Sequence, residues 1–173
     1  RVKDPAGNVS AWTAAPTVLK DTVVPTGYSV TFDQAWVNAE VQRVATLTVH
    51  GGELGVVYDI TVQSSGGGPA VIVNGILPDA TLQIGPVDLS ALGDGLLTAV
   101  LQLTDAAGNA GLEQADSVNK DVALPPVPTL VVTTDPIHAA NVAAFAFGGT
   151  AEPLTWVDYA ISSSAGGGPI ESA

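Results

Sequence analysis

A phrase used twice, about one hundred residues apart, limits what this chain can fold into more than any other feature. DPAGN at 4–8 returns as DAAGN at 105–109. Three further echoes keep nearly the same spacing: KDTVVP at 20–25 with KDVALP at 120–125, VYDITV at 57–62 with VDYAIS at 157–162, and SSGGGP at 64–69 with SAGGGP at 164–169. A fixed period of this kind marks an array of similar units. It divides the chain into the tail of one unit (1–21), a whole unit (22–121) and the opening half of another (122–173), so that both ends fall inside units.

Within the whole unit, apolar and β-branched runs at 28–32, 43–50, 56–62, 70–74, 79–84, 96–104 and 110–118 alternate as half-buried strands do. Tyr58, Ile60 and Val62 form one such set, and Leu97, Ala99, Leu101 and Leu103 another. Between the runs stand Gly51-Gly52, Gly66-Gly67-Gly68-Pro69, Asn74-Gly75, Gly93-Asp94-Gly95 and Gly108-Asn109, residues that supply positive φ or a preset turn. One stretch, 87–92, reads as a short helical turn. Seven strands in about a hundred residues predict an all-β fold of immunoglobulin-like β-sandwich repeats in tandem.

Composition removes several classes of function. Five basic residues against seventeen acidic ones, a formal charge of −12, leave no patch that could neutralise phosphates, so nucleic acid is not an expected partner. No run of about 18 residues is free of Pro, Gly and charge, so membrane insertion is not expected either. The absence of cysteine excludes disulfides, thiolate metal sites and cysteine nucleophiles. RVKDPAGN at the start carries no apolar targeting stretch.

VDLSALGDGLLTAVLQLTDAAGNAG at 87–111, VNKDVALP at 118–125 and DPIHAANVAAFAFGGTAEP at 135–153 resemble the bacterial immunoglobulin-like tandem repeats of large secreted and cell-surface adhesins. The resemblance extends over essentially the whole chain. It implies that the DLSALGDG run at 88–95 precedes the sixth strand, that DAAGN turns the sixth strand into the seventh, and that KDVALP opens the next repeat. WVNAEVQRVATLTVHGGELG at 36–55 keeps the rhythm but lacks the family's Gly-Thr-Ala-Glu-Pro turn, which bears on the loop between the second and third strands.

Two readings of the repeated phrase follow. In one, Asp105 accepts hydrogen bonds from backbone amides just ahead of it, while Gly108-Asn109 takes left-handed conformations, and the phrase builds a hairpin. In the other, the acidic loops bind Ca2+, which takes six to eight oxygen ligands. The sandwich topology puts Asp21, Glu53 and Asp105 at one end, and Asp88 and Asp94 at the other beside Asp121 and the next unit's Glu152. The resemblance implies calcium at such repeat junctions.

Other chemistry lacks its parts. His50 and His138 occupy different positions of their units, no Gly-Xaa-Ser-Xaa-Gly context exists for a triad, and two histidines without cysteine make a poor zinc set. A glycosidase would need paired carboxylates, whereas the acidic residues here fall mostly at turns. The triple glycine at 66–68 lacks the Lys-Ser/Thr of a phosphate loop and reads as a flexible loop. Trp12, Trp36 and Trp156 stand at non-equivalent positions, which argues for packing rather than a sugar-stacking platform. Asn8-Val9-Ser10 is a glycosylation sequon. The expectation is therefore a non-catalytic extender of an extracellular, secreted or cell-surface adhesin whose partners are neighbouring repeats. Strand exchange with other copies of itself and glycan recognition are the alternatives.

Overall fold

The computed structural model describes residues 1–162 and the strand Ile170–Glu171. The SAGGGP echo at 164–169 lies outside the described residues. Two compact units emerge, Arg1–Val122 and Ala123–Ala173, and residues 1–21 group with the first.

The first unit contains, in chain order, β1 (Ser29–Phe32), β2 (Trp36–Val37), β3 (Ala45–His50), β4 (Val57–Ser64), β5 (Val71–Ile76), β6 (Leu82–Val87), β7 (Gly95–Thr104) and β8 (Gln114–Lys120). They form a three-stranded sheet, β1-β3-β6, and a five-stranded sheet, β2-β8-β7-β4-β5. All pairs are antiparallel except β2 with β8. This is the immunoglobulin-like sandwich, with β5 joined to β4 in the larger sheet rather than to the smaller one as in the constant-type arrangement. The expected runs overlap β1 and β3–β8, those at 79–84 and 110–118 starting three and four residues ahead of β6 and β8, while the two-residue β2 is too short to leave a periodic signal. The stretch 87–92 is not helical. It holds a single turn, closed by the Leu92 amide on the Leu89 carbonyl at 3.2 Å.

Alternation makes these strands and their core. Along β7, Leu97, Ala99, Leu101 and Leu103 are fully buried while Thr98, Val100 and Gln102 point outward, the period-2 pattern of a pleated strand. Tyr58, Ile60 and Val62 of β4 do the same, and Val30, Ala45, Leu47, Val49 and Ile84 meet them from the smaller sheet in one apolar cluster. Each large aliphatic side chain so buried stabilises the fold by about 1.5–3 kcal/mol. On β6, Gly85 and Pro86 together oppose the single Thr46, because the register jumps from Ala45–Val87 to Leu47–Ile84. Proline has no amide to give a ladder, and a bulge on an edge strand is where that loss is tolerated.

The second unit pairs β9 (Thr129–Val132) with β10 (Phe147–Thr150), and β11 (Ala160–Ile161) with β12 (Ile170–Glu171), around a 3-10 turn at Val142–Ala144. Thr129 opposes Thr150, Leu130 Gly149, Val131 Gly148 and Val132 Phe147. In β1 and β3, Ser29 opposes His50, Val30 Val49, Thr31 Thr48 and Phe32 Leu47. Every pair of the second set is the first moved on by one hundred residues. Burial does not carry over: Leu130 is 66% exposed, whereas Val30 is 3% exposed.

Leu101→Ala is therefore expected to lower the unfolding free energy by about 2–5 kcal/mol. Leu130→Ala, at a repeat position without a covering sheet among the described residues, should change it by less than about 0.5 kcal/mol. Urea denaturation of the two variants measures the contrast; equal losses would contradict this placement of the core.

Candidate functional site

At one end of the first unit, three segments converge: the approach to β1, the 51–56 connection and the β7–β8 hairpin. The Tyr28 hydroxyl donates to the Leu112 carbonyl at 2.6 Å. Gly111 lies so close that a Cβ there would stand 2.5 Å from the Tyr28 Oη and 2.6 Å from the Pro25 carbonyl, so no other residue fits without a shift. The Asn109 Nδ2 donates to the Asp21 carbonyl at 3.4 Å, which brings the Asp21 and Asp105 segments together. Glu53 is exposed in the 51–56 connection, whose Gly52 and Gly55 amides bond to the Ala80 and Leu77 carbonyls.

The Asp105 carboxylate is spent on its own hairpin. Oδ1 accepts from the Ala107 amide at 2.9 Å and the Asn109 amide at 2.8 Å, and Oδ2 accepts from the Asn109 Nδ2 at 2.8 Å. Gly108 closes the turn at φ +90, a conformation that favours glycine. Asp4 and Asn8 build the same object: Asp4 Oδ1 takes the Asn8 amide at 2.8 Å, Oδ2 takes the Asn8 Nδ2 at 2.9 Å, and Gly7 stands at φ +96. The Asn109 side chain, with the backbone amides, holds the Asp105 carboxyl below the ordinary 3.8, and Asn8 does so for Asp4.

At the other end, Asp88 accepts from the Ser90 amide at 2.9 Å and faces Arg43 at 3.7 Å across an exposed surface. Its carboxyl is lowered first by the hydrogen bonds from Ser90 and less by the charge of Arg43. Asp94 Oδ1 accepts from the Val122 amide at 3.2 Å, and the Asp121 amide donates to the Val37 carbonyl at 3.0 Å. Glu152 belongs to the second unit, where its carbonyl accepts from the Thr155 hydroxyl at 2.7 Å. Among the described residues no group of three or more His, Asp or Glu is placed to hold a metal ion. Asp21, Glu53 and Asp105 accordingly form no such group, nor do Asp88, Asp94 and Asp121, while Glu152 lies in the second unit. Asp88, Asp94 and Asp105 each serve the loop that carries them or the next segment.

Two residues that pattern reading passed over matter more. Lys120, one of five basic residues, is only 3% exposed, and its ammonium donates to the Leu89 carbonyl at 2.9 Å and the Leu92 carbonyl at 2.5 Å. The lysine of the KDVALP phrase thereby grips the DLSALGDG turn. Asp33 accepts from Thr48 at 2.8 Å and Gln83 at 2.9 Å. Desolvation pushes its carboxyl up, but hydrogen bonds with Thr46, Thr48 and Gln83 together hold it below 3.8.

The remaining candidates resolve locally. The 64–69 loop, expected to be loose, is tied down: the Ser64 hydroxyl donates to the Gly93 carbonyl at 2.6 Å, and the Gly93 amide to the Gly67 carbonyl at 2.8 Å. Trp12, Trp36 and Trp156 do not pack inside, being 78%, 58% and 97% exposed. His50 Nε2 lies 3.2 Å from the Thr31 hydroxyl, and His138 Nδ1 accepts from the Ala140 amide. The sequon's Asn8 is committed to Asp4. No helix among the described residues is long and apolar enough to cross a membrane.

No protein-family model and no curated protein matches the sequence. Among solved structures, the tetra-tandem repeat in the extending region of a large adhesion protein shares 23% identity over 84% of this chain and 37% of that one, with a TM-score of 0.43. The chain is similar to adhesin repeats. A Ca2+-stabilized adhesin that helps an Antarctic bacterium reach out and bind ice shares 21% identity over 64% of this chain and 28% of its own length, with a TM-score of 0.37. An Fn3-like protein from Clostridium thermocellum shares 16% identity over 59% of this chain and 94% of its own, with a TM-score of 0.33. The chain spans well under two thirds of either adhesin structure, and its fold assignment rests on its own strand pairing rather than on these likenesses.

The lowered carboxyl of Asp105 makes its hairpin acid-sensitive. A folded-state value below the ordinary 3.8 means that its stabilisation is complete above 3.8 and is lost as pH falls through the lowered value. Asp105→Asn is expected to melt below the parent chain at neutral pH, with the gap closing between about pH 5 and pH 2. A gap that stays constant on acidification would contradict a role for the ionised carboxylate.

Proposed function

We propose that the chain is a segment of a non-catalytic extender in an extracellular bacterial adhesin, in which sandwich units follow one another and their number sets the reach. The observation that carries this reading is the recurrence of one strand register a hundred residues on, Ser29–His50 and then Thr129–Thr150. A repeat copied down to its pairing register is what a length-setting module requires, since each unit contributes a constant increment. The duplicated Asp-Asn hairpin supports it as well. Neighbouring repeats are the partners this reading assigns. Calcium at the repeat junctions is a separate question, which the same measurement addresses.

Small-angle scattering of chains carrying two, four and six copies of residues 22–121 tests the proposal. The maximum dimension should grow by a constant increment per copy, in calcium and in chelator alike. A compact particle whose length does not follow copy number would overturn the extender reading, and growth confined to calcium would overturn its independence from the cation.

A further inference from the structure

A sheet edge is a row of unpaired amides and carbonyls, and three of the four edges in the first unit are short, broken or already engaged. β1 has four residues and gives its Phe32 amide to Asp116 Oδ2, 84 residues away, at 2.8 Å. β2 has two residues, and β6 is broken by the bulge at Gly85 and Pro86. β5 is none of these. It pairs with β4 through six successive residues without a register shift, carries no charge and no proline, and among the described residues no strand pairs with its other side.

Alternation along the β4–β5 ladder decides which groups of β5 are free. The Leu77 amide donates to the Val56 carbonyl at 2.9 Å, in the register that sets Val57 opposite Ile76. Hydrogen-bonded pairs alternate in an antiparallel ladder, so Gly75, Val73 and Val71 also turn their amides and carbonyls to β4, and Ile72, Asn74 and Ile76 turn theirs outward. The side chains of these three share the outer face, where Ile72 is 62% and Ile76 65% exposed. The row reads the same in either direction about Asn74. A second copy turned about a two-fold axis there sets Ile72 against Ile76 of the other copy and Asn74 against its own counterpart. Each facing pair then exchanges two backbone hydrogen bonds, the isoleucines cover one another, and the two carboxamides meet donor to acceptor. A pairing shifted by one residue sets outward groups against inward ones and loses these bonds. Charge does not oppose the approach: Asp59, opposite Asn74 on β4, stays three strand spacings from its counterpart, about 14 Å, beyond the roughly 8 Å reach of exposed charges in physiological salt.

We propose that β5 is a self-recognition edge, at which two copies of this chain pair antiparallel through Ile72, Asn74 and Ile76 to form a weak symmetric dimer. A second copy fits better than an unrelated extended segment because the edge complements itself in donors, acceptors and side chains, as an isologous contact requires. One strand from each copy makes a small interface, so a single contact is weak and an array of units multiplies it. The paired strands run in opposite directions. Under the extender reading, the partners are therefore chains that project towards each other from two facing surfaces, but the dimer itself does not rest on that reading.

Sedimentation of the full chain over a concentration series reaching the millimolar range should show reversible dimerisation. Ile72→Lys and Ile76→Lys should each weaken it about tenfold or more, because symmetry places each change in the dimer twice. Leu112→Lys, at a leucine 82% exposed away from this edge, should leave it unchanged. Asn74→Pro removes an outward amide, a loss an edge strand tolerates, and should abolish association while the circular dichroism stays that of the parent. The chain has no cysteine, so Asn74→Cys should oxidise to a covalent dimer, the paired Cα atoms being about 5.5 Å apart. Ile72→Cys alone should not cross-link, whereas a mixture of Ile72→Cys and Ile76→Cys chains should. A chain that stays monomeric throughout the series would overturn the proposal and leave the edge to a different extended partner. Equal weakening by Leu112→Lys, or cross-linking of Ile72→Cys as fast as of Asn74→Cys, would also overturn it. None of these results bears on the growth of length with copy number, so the two proposals fail separately.

Discussion

Strand β7 pairs with β4 over eight residues and with β8 over seven, and its inward leucines and alanine are closed off from water. These two pairings fix where β4 and β8 lie, and through them where every loop emerges. A slip of one residue would turn Leu97, Ala99, Leu101 and Leu103 outward and expose Thr98, Val100 and Gln102 to the core, so the register has no near competitor. The convergence of Tyr28, Gly111 and Asn109 at one end, and of Lys120 with the 89–92 turn at the other, depends on that register. Neither junction could form on a sheet that had slipped.

The second unit separates what is encoded locally from what burial adds. β9 and β10 adopt the pairing of β1 and β3 residue for residue, although Leu130 and Val132 remain more than half exposed. The same pairing thus stands in the second unit without the burial that the opposing sheet gives Val30 in the first. The unit of repetition and the unit of burial coincide at about one hundred residues, which is why the echoes keep that period.

Legibility in the sequence followed the range of each interaction. The strands β3, β4 and β7 announce themselves by alternation, and the role of Asp105 in its hairpin is readable because all its partners lie within four residues. β2 escaped because two residues carry no period. The membership of β5 in the larger sheet escaped because alternation names a buried face and not a neighbour. The grip of Lys120 on carbonyls 28 and 31 residues away, and the parallel links 84 residues long, are non-local and leave no local pattern. The acidic residues were legible by the end of the sandwich they occupy, and Asp105 also by its hairpin bonds, whereas the hold of Asp94 on the Val122 amide 28 residues away was not.

The central claim is that one strand register is repeated at a hundred-residue period. Paired cysteines introduced at 29 and 50, and in a separate chain at 129 and 150, test it directly, since the chain contributes none of its own. Both opposed pairs should form a disulfide on oxidation, while pairs shifted by one residue, 29 with 49 and 129 with 149, should not, because a one-residue shift turns the side chain to the other face. Cross-linking at 29 and 50 but not at 129 and 150, or better cross-linking of the shifted pair in the second unit, would contradict the repeat.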